Sequence, residues 1–285
     1  MDIILRPSRR ADLDGLKKLW KMAFGDSDIY INDFFEHFGE NSSFVAERDG
    51  SVVSGIHLLP AGYFFNGEGK RLNCVYAYAL ATMPEYRNMG LASAVVKASI
   101  DSSLESYDCN IICPAGLGLF PFYEGLGYSK FFSVKEIHFS PETMPNKKTD
   151  MILTKVDAYS YISIRRRIQP KTTVEYEKGF LAYQEKVALR SKGGFFVFKT
   201  QNAELGCATI EKAADRRVCV KELLLPEHLA DDGLSCIKTA FPASSYLVRC
   251  PGADGVDISR PFALAVFRGK NPTGIPEGYF SFVLD

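Results

Sequence analysis

The spacing of apolar residues changes period several times over the first 140 positions, and each change marks an element. Residues 3–5 read as a short strand. Beyond Asp12, an expected N-cap, Leu13, Leu16, Trp20, Ala23 and Phe24 recur at the spacing of one helix face. A second short helix is predicted over residues 29–38. Residues 44–47 and 52–59 read as antiparallel strands flanking Asp49-Gly50, a dipeptide suited to the positive φ values of a tight hairpin. After a turn at Asn66-Gly67, residues 72–83 form a long strand ended by Pro84, and Leu91, Ala94, Val95 and Ala98 place a helix over 91–104. A short buried strand at 111–113, a brief helix over 120–126 stopped by Gly127, and one or two strands over 128–139 follow.

Residues 140–150 are polar, contain Pro141 and Pro145 and have no periodicity, so a linker is expected there. Beyond it, a helix over 174–189, a hairpin of 195–199 with 205–212, a strand over 218–225, a helix ending at Ala240 and a strand over 246–250 repeat the earlier order. One stretch carries the repeat at residue level. Pro-Glu-Tyr-Arg-Asn-Met-Gly-Leu-Ala-Ser from Pro84 faces Pro-Glu-His-Leu-Ala-Asp-Asp-Gly-Leu-Ser from Pro226. The expectation is a mixed-sheet α/β protein of two domains, 1–140 and 150–285, in which the second is an altered copy of the first.

Composition narrows the functional classes. Lys plus Arg and Asp plus Glu both number 34 in 285 residues, so no global field draws the chain to nucleic acid or anionic lipid. No apolar run approaches the ~20 residues needed to cross a bilayer, and the N-terminus lacks a basic, then apolar, leader pattern, so a cytoplasmic protein is expected. The seven cysteines include no C-x-x-C pair and read as reduced core thiols. His37, His57, His138 and His228 lack ligand spacing, so no metal site is expected, and solvated or core positions suit all four. Arg165-Arg166-Arg167 reads as a solvated run rather than a phosphate clamp.

The segment with chemistry in it is Arg87-Asn88-Met89-Gly90-Leu91-Ala92. It follows a strand and opens a helix, so successive backbone N–H groups face one concavity, an anion site. Gly90 lets a phosphate approach the backbone and Ala92 keeps the next turn small. The loop lacks the Gly-Lys-Ser/Thr of a P-loop and the spacing of a dinucleotide fingerprint, which makes ATP and NAD poor candidates. Together with the downstream Phe122-Tyr123-Glu124-Gly125-Leu126-Gly127-Tyr128, this order resembles the GNAT N-acetyltransferase superfamily over residues 3–139. The whole chain resembles tandem GNAT enzymes of the enhanced-intracellular-survival type without their third domain.

The resemblance implies two tandem GNAT-like domains, the second degenerate, and acetyl-CoA as cosubstrate, held by Leu80, Ala81, Thr82, Met83, Arg87, Asn88, Met89, Gly90, Leu91 and Ala92. A primary amine would attack the thioester directly. An unpaired strand N–H near residues 80–83 would stabilise the oxyanion, and Tyr123 would protonate the departing thiolate. The alternative is a catalytically silent acyl-CoA-binding or interaction module, because residues 74–83 contain no Glu, Asp or His to act as base. Tyr76 and Tyr78 alternate onto one face of that strand and either line the acceptor pocket or pack against a helix. Asp26 belongs to a segment, 22–47, that has no Lys or Arg and six carboxylates (Asp26, Asp28, Asp33, Glu36, Glu40, Glu47), which either border the acceptor site or form a solvated helix face. The apolar stretch 279–284 points to a docked tail, and in the tandem relatives the terminal carboxylate, here Asp285, reaches the active site. The amine, the acyl-chain preference, the base and the oligomeric state are not legible in the sequence.

Overall fold

The structure, a computed structural model, describes residues 2–39, 42–66, 69, 71–252, 260–269 and 278–284. Its first half runs β1 (Ile4–Pro7), α1 (Leu13–Phe24), α2 (Asp28–Phe38), β2 (Ser43–Arg48), β3 (Ser51–Asn66), β4 (Arg71–Thr82), α3 (Leu91–Ser103), β5 (Cys109–Ile112), α4 (Phe120–Glu124) and β6 (Ser129–Phe139). Helix α1 buries Leu16, Leu19 and Trp20, one stripe at helical spacing, and ends at Gly25 with φ 73°. Asp12 does not cap α1 as expected. Its carboxylate accepts the Arg9 N–H at 2.7 Å and the Arg6 guanidinium at 2.7 and 2.8 Å, so it closes the preceding 3₁₀ turn instead. Ser27, which the sequence did not single out, caps α2 by accepting the Tyr30 N–H at 3.2 Å. Asp49 and Gly50, with φ 50° and 77°, turn the β2–β3 hairpin as expected.

The second half runs β7 (Ile152–Val156), α5 (Ala158–Ile168), β8 (Thr172–Tyr176), α6 (Lys178–Arg190), β9 (Gly194–Lys199), β10 (Glu204–Lys212), β11 (Arg217–Leu224), α7 (Ala230–Ala240) and β12 (Ser245–Cys250), followed by β13 (Arg260–Phe267) and β14 (Gly278–Tyr279). The helix expected over 174–189 begins only at Lys178, because Val174 belongs to β8, three of whose five residues are buried. Strand β7, helix α5 and strand β13 were not anticipated.

The chain forms two compact units, but not by a cut at 140–150. The first unit takes the described residues up to Phe64, then Arg71 to Phe131, and recovers Ala263 to Gly269 from late in the chain. That return follows from β13, which pairs antiparallel with β5 from Leu264↔Ile112 to Phe267↔Cys109. The expected linker packs into the second unit: Met144 is buried in its core, and the Lys147 N–H donates to Ser235 Oγ at 2.9 Å.

Within the first unit the strands lie in the order β1-β2-β3-β4-β5-β13, with β4 and β5 parallel. Within the second, the order β7-β9-β10-β11-β12-β6 again has one parallel pair, β11 with β12. Residues 278–284 are buried, but only Gly278 and Tyr279 are in a strand, so the expected final strand is mostly extended chain held by side chains. Asp285 lies outside the described residues. None of the described helices is long and apolar enough to cross a membrane.

Candidate active site

The site is built where β4 outruns β5. Their parallel pairing covers Cys74↔Cys109 to Ala77↔Ile112 and then stops, while β4 continues to Thr82. Ala79, just past the last pair, has φ 53°, a left-handed value that a non-glycine residue adopts at a cost. The sequence carried no signal for it, because alanine has no special preference for that conformation. The two strands part at this bend.

Beyond β4 comes a 3₁₀ turn, Pro84–Tyr86, then the loop. Asn88 has φ 62° and Gly90 has φ 77°, so the backbone coils between Arg87 and the first residue of α3. Gly90 is the N-cap and has no side chain to offer, which leaves the first-turn N–H groups of Leu91, Ala92 and Ser93 without an intrahelical partner. A Cβ built on Gly90 meets nothing within 4 Å. The glycine therefore suits its left-handed backbone angle, and the space beside it is open.

Arg87, Asn88, Met89 and Gly90 are all exposed. The Arg87 guanidinium donates to the Thr82 carbonyl at 3.3 Å and lies 3.9 Å from Met22 Sδ at the end of α1. Of the strand N–H groups expected near residues 80–83, that of Met83 is already committed, donating to the Val53 carbonyl at 2.8 Å. The expectation of an oxyanion donor therefore narrows to Leu80, Ala81 and Thr82.

Tyr123 shares the core cluster of Leu91, Val95, Ala77 and Ile112, so α4 places it on the same side of the sheet as the start of α3. Gly127, at φ 103°, turns the chain so that the Tyr128 N–H donates back to the Tyr123 carbonyl at 3.3 Å. Among the described residues the Tyr123 hydroxyl has no hydrogen-bond partner, whereas its neighbour Tyr128 donates to Asn110 Oδ1 at 2.7 Å. Burial, then proximity to Cys113, pushes the Tyr123 phenol up to about 12. That is a weaker acid than its free value of ~10 suggested. Cys109 is sealed at the Cys74↔Cys109 pair and burial raises its thiol well above the ordinary range.

On the opposite face of β4, Tyr76 is buried and Tyr78 half-buried, with ring centroids 5.8 Å apart. Tyr76 thus takes the packing reading. Trp20 meets Tyr78 edge-on at 5.6 Å, and its indole N–H donates to Asp26 Oδ2 at 2.8 Å. Asp26 is therefore engaged in fixing the turn after α1. The other carboxylates of that segment disperse: Asp28 pairs with Lys21, and Glu47 pairs with Arg6 and Arg9. Glu40 and Asp285 lie outside the described residues. His57 on β3 is enclosed by Trp20, Phe34 and Phe35, with Nδ1 2.6 Å from Ser43 Oγ, and burial pushes it down to about 3, so it stays neutral.

A strand that outlives its parallel partner, a coiled loop and an uncapped helix start define a class of α/β domain with an open helix N-terminus at the strand ends. Residues 5–131 match the acetyltransferase (GNAT) domain family. An N-alpha-acetyltransferase from Sulfurisphaera tokodaii is 28% identical over 110 residues, 36% of this chain and 64% of that protein, so the match falls short of two thirds of the relative's length. Over the whole chain the fold is that of tandem GNAT proteins. A probable N-acyltransferase of unknown function from Enterococcus faecalis V583 superposes with a TM-score of 0.72 at 17% identity, over 94% of this chain and 72% of that one. Eis1 from Mycobacterium abscessus gives 0.64 at 11% identity, over 93% and 73%. A tandem GNAT protein from the clavulanic acid biosynthesis pathway gives 0.55 at 12%, over 95% and 100%.

Proposed function

We propose that this protein is an N-acetyltransferase that moves an acetyl group from acetyl-CoA to a primary amine by direct attack. The observation that carries this reading is the uncapped start of α3 beside the parted ends of β4 and β5. The N–H groups of Leu91, Ala92 and Ser93 receive the pyrophosphate, since a helix N-terminus with open space and no acidic first-turn side chain favours a multiply charged anion. Asn88, Met89 and Gly90 complete the cradle, and Arg87 adds an exposed positive charge. The pantetheine arm runs between the parted strands, taking hydrogen bonds from exposed main chain as an added strand does.

The amine attacks as its free base, and the oxyanion is met by a strand N–H of residues 80–82. The sulfur leaves toward Tyr123. A phenol pushed up to about 12 holds its proton at every working pH, and the apolar surroundings that raise it also raise the basicity of a thiolate formed beside it. Amine deprotonation is left to water, since β4 has no carboxylate or imidazole and His57 is closed off.

Thiol release from acetyl-CoA, followed across a panel of primary amines after calorimetry has established CoA binding, tests the reading. Amine-dependent release is expected. Tight CoA binding with no release on any amine would leave the silent-module reading in its place.

A further inference from the structure

The face of β4 turned away from Tyr123 carries Tyr78, the first residue past the last β4–β5 pair and the one before the bend at Ala79. Ala77 packs in the cluster that contains Tyr123, so alternation along the strand puts Tyr76 and Tyr78 on the other face. Behind Tyr78 stands Trp20, whose ring lies 4.5 Å from Phe34, 5.0 Å from His57, 5.6 Å from Tyr78 and 6.0 Å from Phe24. Trp20 is fully buried, and its N–H bond to Asp26 pins the turn that follows α1. The ring is thus held from both ends.

Two apolar side chains at that end of α1 stay open: Met22 at 36% and Phe24 at 48% exposure. Single exposed apolar residues are ordinary. These two are not isolated, because Met22 touches Arg87 of the phosphate loop and Phe24 touches Trp20. An aromatic and apolar wall therefore runs from the cofactor loop to the bend in β4. Residues 22–47 contribute no cation to it. Ring faces attract an ammonium group through the aromatic quadrupole and then cover a flat apolar body, whereas a polyamine needs several separate acceptors.

Resting on the transfer reading above, we propose that the acceptor is a primary amine carried on an aromatic or comparably flat apolar body, with Tyr78 its specificity-determining contact and Trp20 a positioning residue. The test uses the full chain, saturating acetyl-CoA, and two probes, 2-phenylethylamine and 1,4-diaminobutane. Wild type is expected to favour phenylethylamine in kcat/KM by at least ~10-fold, the scale of one good apolar contact. Tyr78→Ala should erase that preference while the KM for acetyl-CoA holds, and Tyr78→Phe, the conservative variant, should keep it. Trp20→Phe, which deletes the bond to Asp26, should raise the KM for phenylethylamine more than it lowers kcat.

Equal or reversed preference in wild type, or a Tyr78→Ala variant that loses both amines alike, overturns the proposal. A Trp20→Phe variant with unchanged KM removes the positioning role. Absence of turnover on either amine counts against acetyl transfer instead. The acceptor site is then decided by calorimetry on the CoA-loaded chain: tighter binding of phenylethylamine that Tyr78→Ala abolishes supports it, and equal binding of both probes sinks it.

Discussion

The loop after β4 and the loop after β11 start from the same three kinds of residue, a strand end and then Pro-Glu, and finish with opposite properties. After Pro84 the 3₁₀ turn ends at Tyr86, residues 87–90 coil through two left-handed angles, and α3 begins at Leu91. After Pro226 the 3₁₀ turn passes directly into α7 at Ala230, the position facing Asn88, so the residues that make the first loop are helix in the second. The second helix start is filled with its own charge: Asp231 and Asp232 occupy the first turn, and Lys147 closes on Asp231 at 2.8 Å. Gly233 there serves packing, since an added Cβ would lie 2.2 Å from Leu225, whereas at Gly90 it meets nothing. Seven of the ten facing residues differ within the shared frame, and the second helix start carries two carboxylates where the first leaves its N–H groups beside open space.

The strands repeat this lesson. Ala79 bends β4 five residues before Pro84, and Lys221 is the extra residue of a bulge in β11, between Thr209↔Glu222 and Ile210↔Val220, five residues before Pro226. In the first unit the bend follows the last β4–β5 pair, where the two strands cease to be hydrogen-bonded partners. In the second, Lys221 Nζ donates to the Val283 carbonyl at 2.8 Å and pairs with Glu211 at 3.0 Å, while Glu222 takes Arg165 at 2.9 Å, Tyr161 at 2.6 Å and Ser281 at 2.6 Å. Buried ion pairs and the segment 278–284 stand where the first unit has neutral strand. Arg165 is thus no part of a solvated run; Arg166 and Arg167 alone lie on the surface, paired with Glu175 and Glu204.

The largest expected effect breaks the filled site. Arg165→Met leaves Glu222 sealed in the interior without its cation, which should cost ~3–5 kcal/mol, while the double variant with Glu222→Met should recover much of that loss. Urea unfolding measures both. A single-variant loss below ~1 kcal/mol would mean the network does not hold the second unit together.

Next comes the open site. Gly90→Asp tolerates the left-handed angle better than most residues but puts a carboxylate into the cradle, so CoA affinity should fall at least ~100-fold by calorimetry. Gly90→Ala, which adds strain without charge, should fall less. Asp232→Gly in the second loop should leave both affinity and a stoichiometry of one CoA per chain unchanged; two CoA molecules per chain in wild type would erase the contrast between the loops.

Tyr123→Phe should lower kcat by ~10–100-fold with little change in CoA affinity, since the ring and its packing remain. Because the phenol sits up near 12, the wild-type rate should not decline between pH 7 and 10 through its ionisation. Unchanged kcat in a chemistry-limited assay would make Tyr123 a packing residue.

What the sequence disclosed follows from how locally each feature is encoded. The loop at Arg87–Gly90 and the turn at Asp49-Gly50 were legible because glycine and its neighbours carry backbone angles in their identity. The helices with one apolar stripe were legible for the same kind of reason. Helix α5 was not, because its buried stripe of Tyr161, Ile162, Ile164 and Arg165 includes a cation that only a distant carboxylate, Glu222, makes tolerable. The bend at Ala79 was not legible either, because alanine has no preference for its left-handed angle. The return of β13 to β5, which moved the unit boundary, is a pairing between residues ~150 positions apart, and no local period announces it.

The smallest expected effect sharpens the contrast between half-open and sealed charge. The first unit has its own ion cluster, Arg6 with Asp12 and Glu47, whose side chains retain 15%, 8% and 16% exposure, against 2% and 0% for Arg165 and Glu222. The Arg6 guanidinium, followed by the Arg9 N–H, holds Asp12 below the usual carboxylate range. A carboxylate whose folded pKa lies below its unfolded value of ~3.9 contributes stability that is complete above that value and is lost as pH falls through the folded one. Asp12→Asn should therefore cost ~1–2 kcal/mol at pH 7, the range for a charge-assisted hydrogen bond, and the cost should shrink as pH falls below the unfolded value and through the folded one. Melting temperatures of the two proteins followed from pH 7 into acid give the answer: a gap that narrows as pH falls is expected, and a gap that stays constant down to acid unfolding would assign the loss to packing instead of charge.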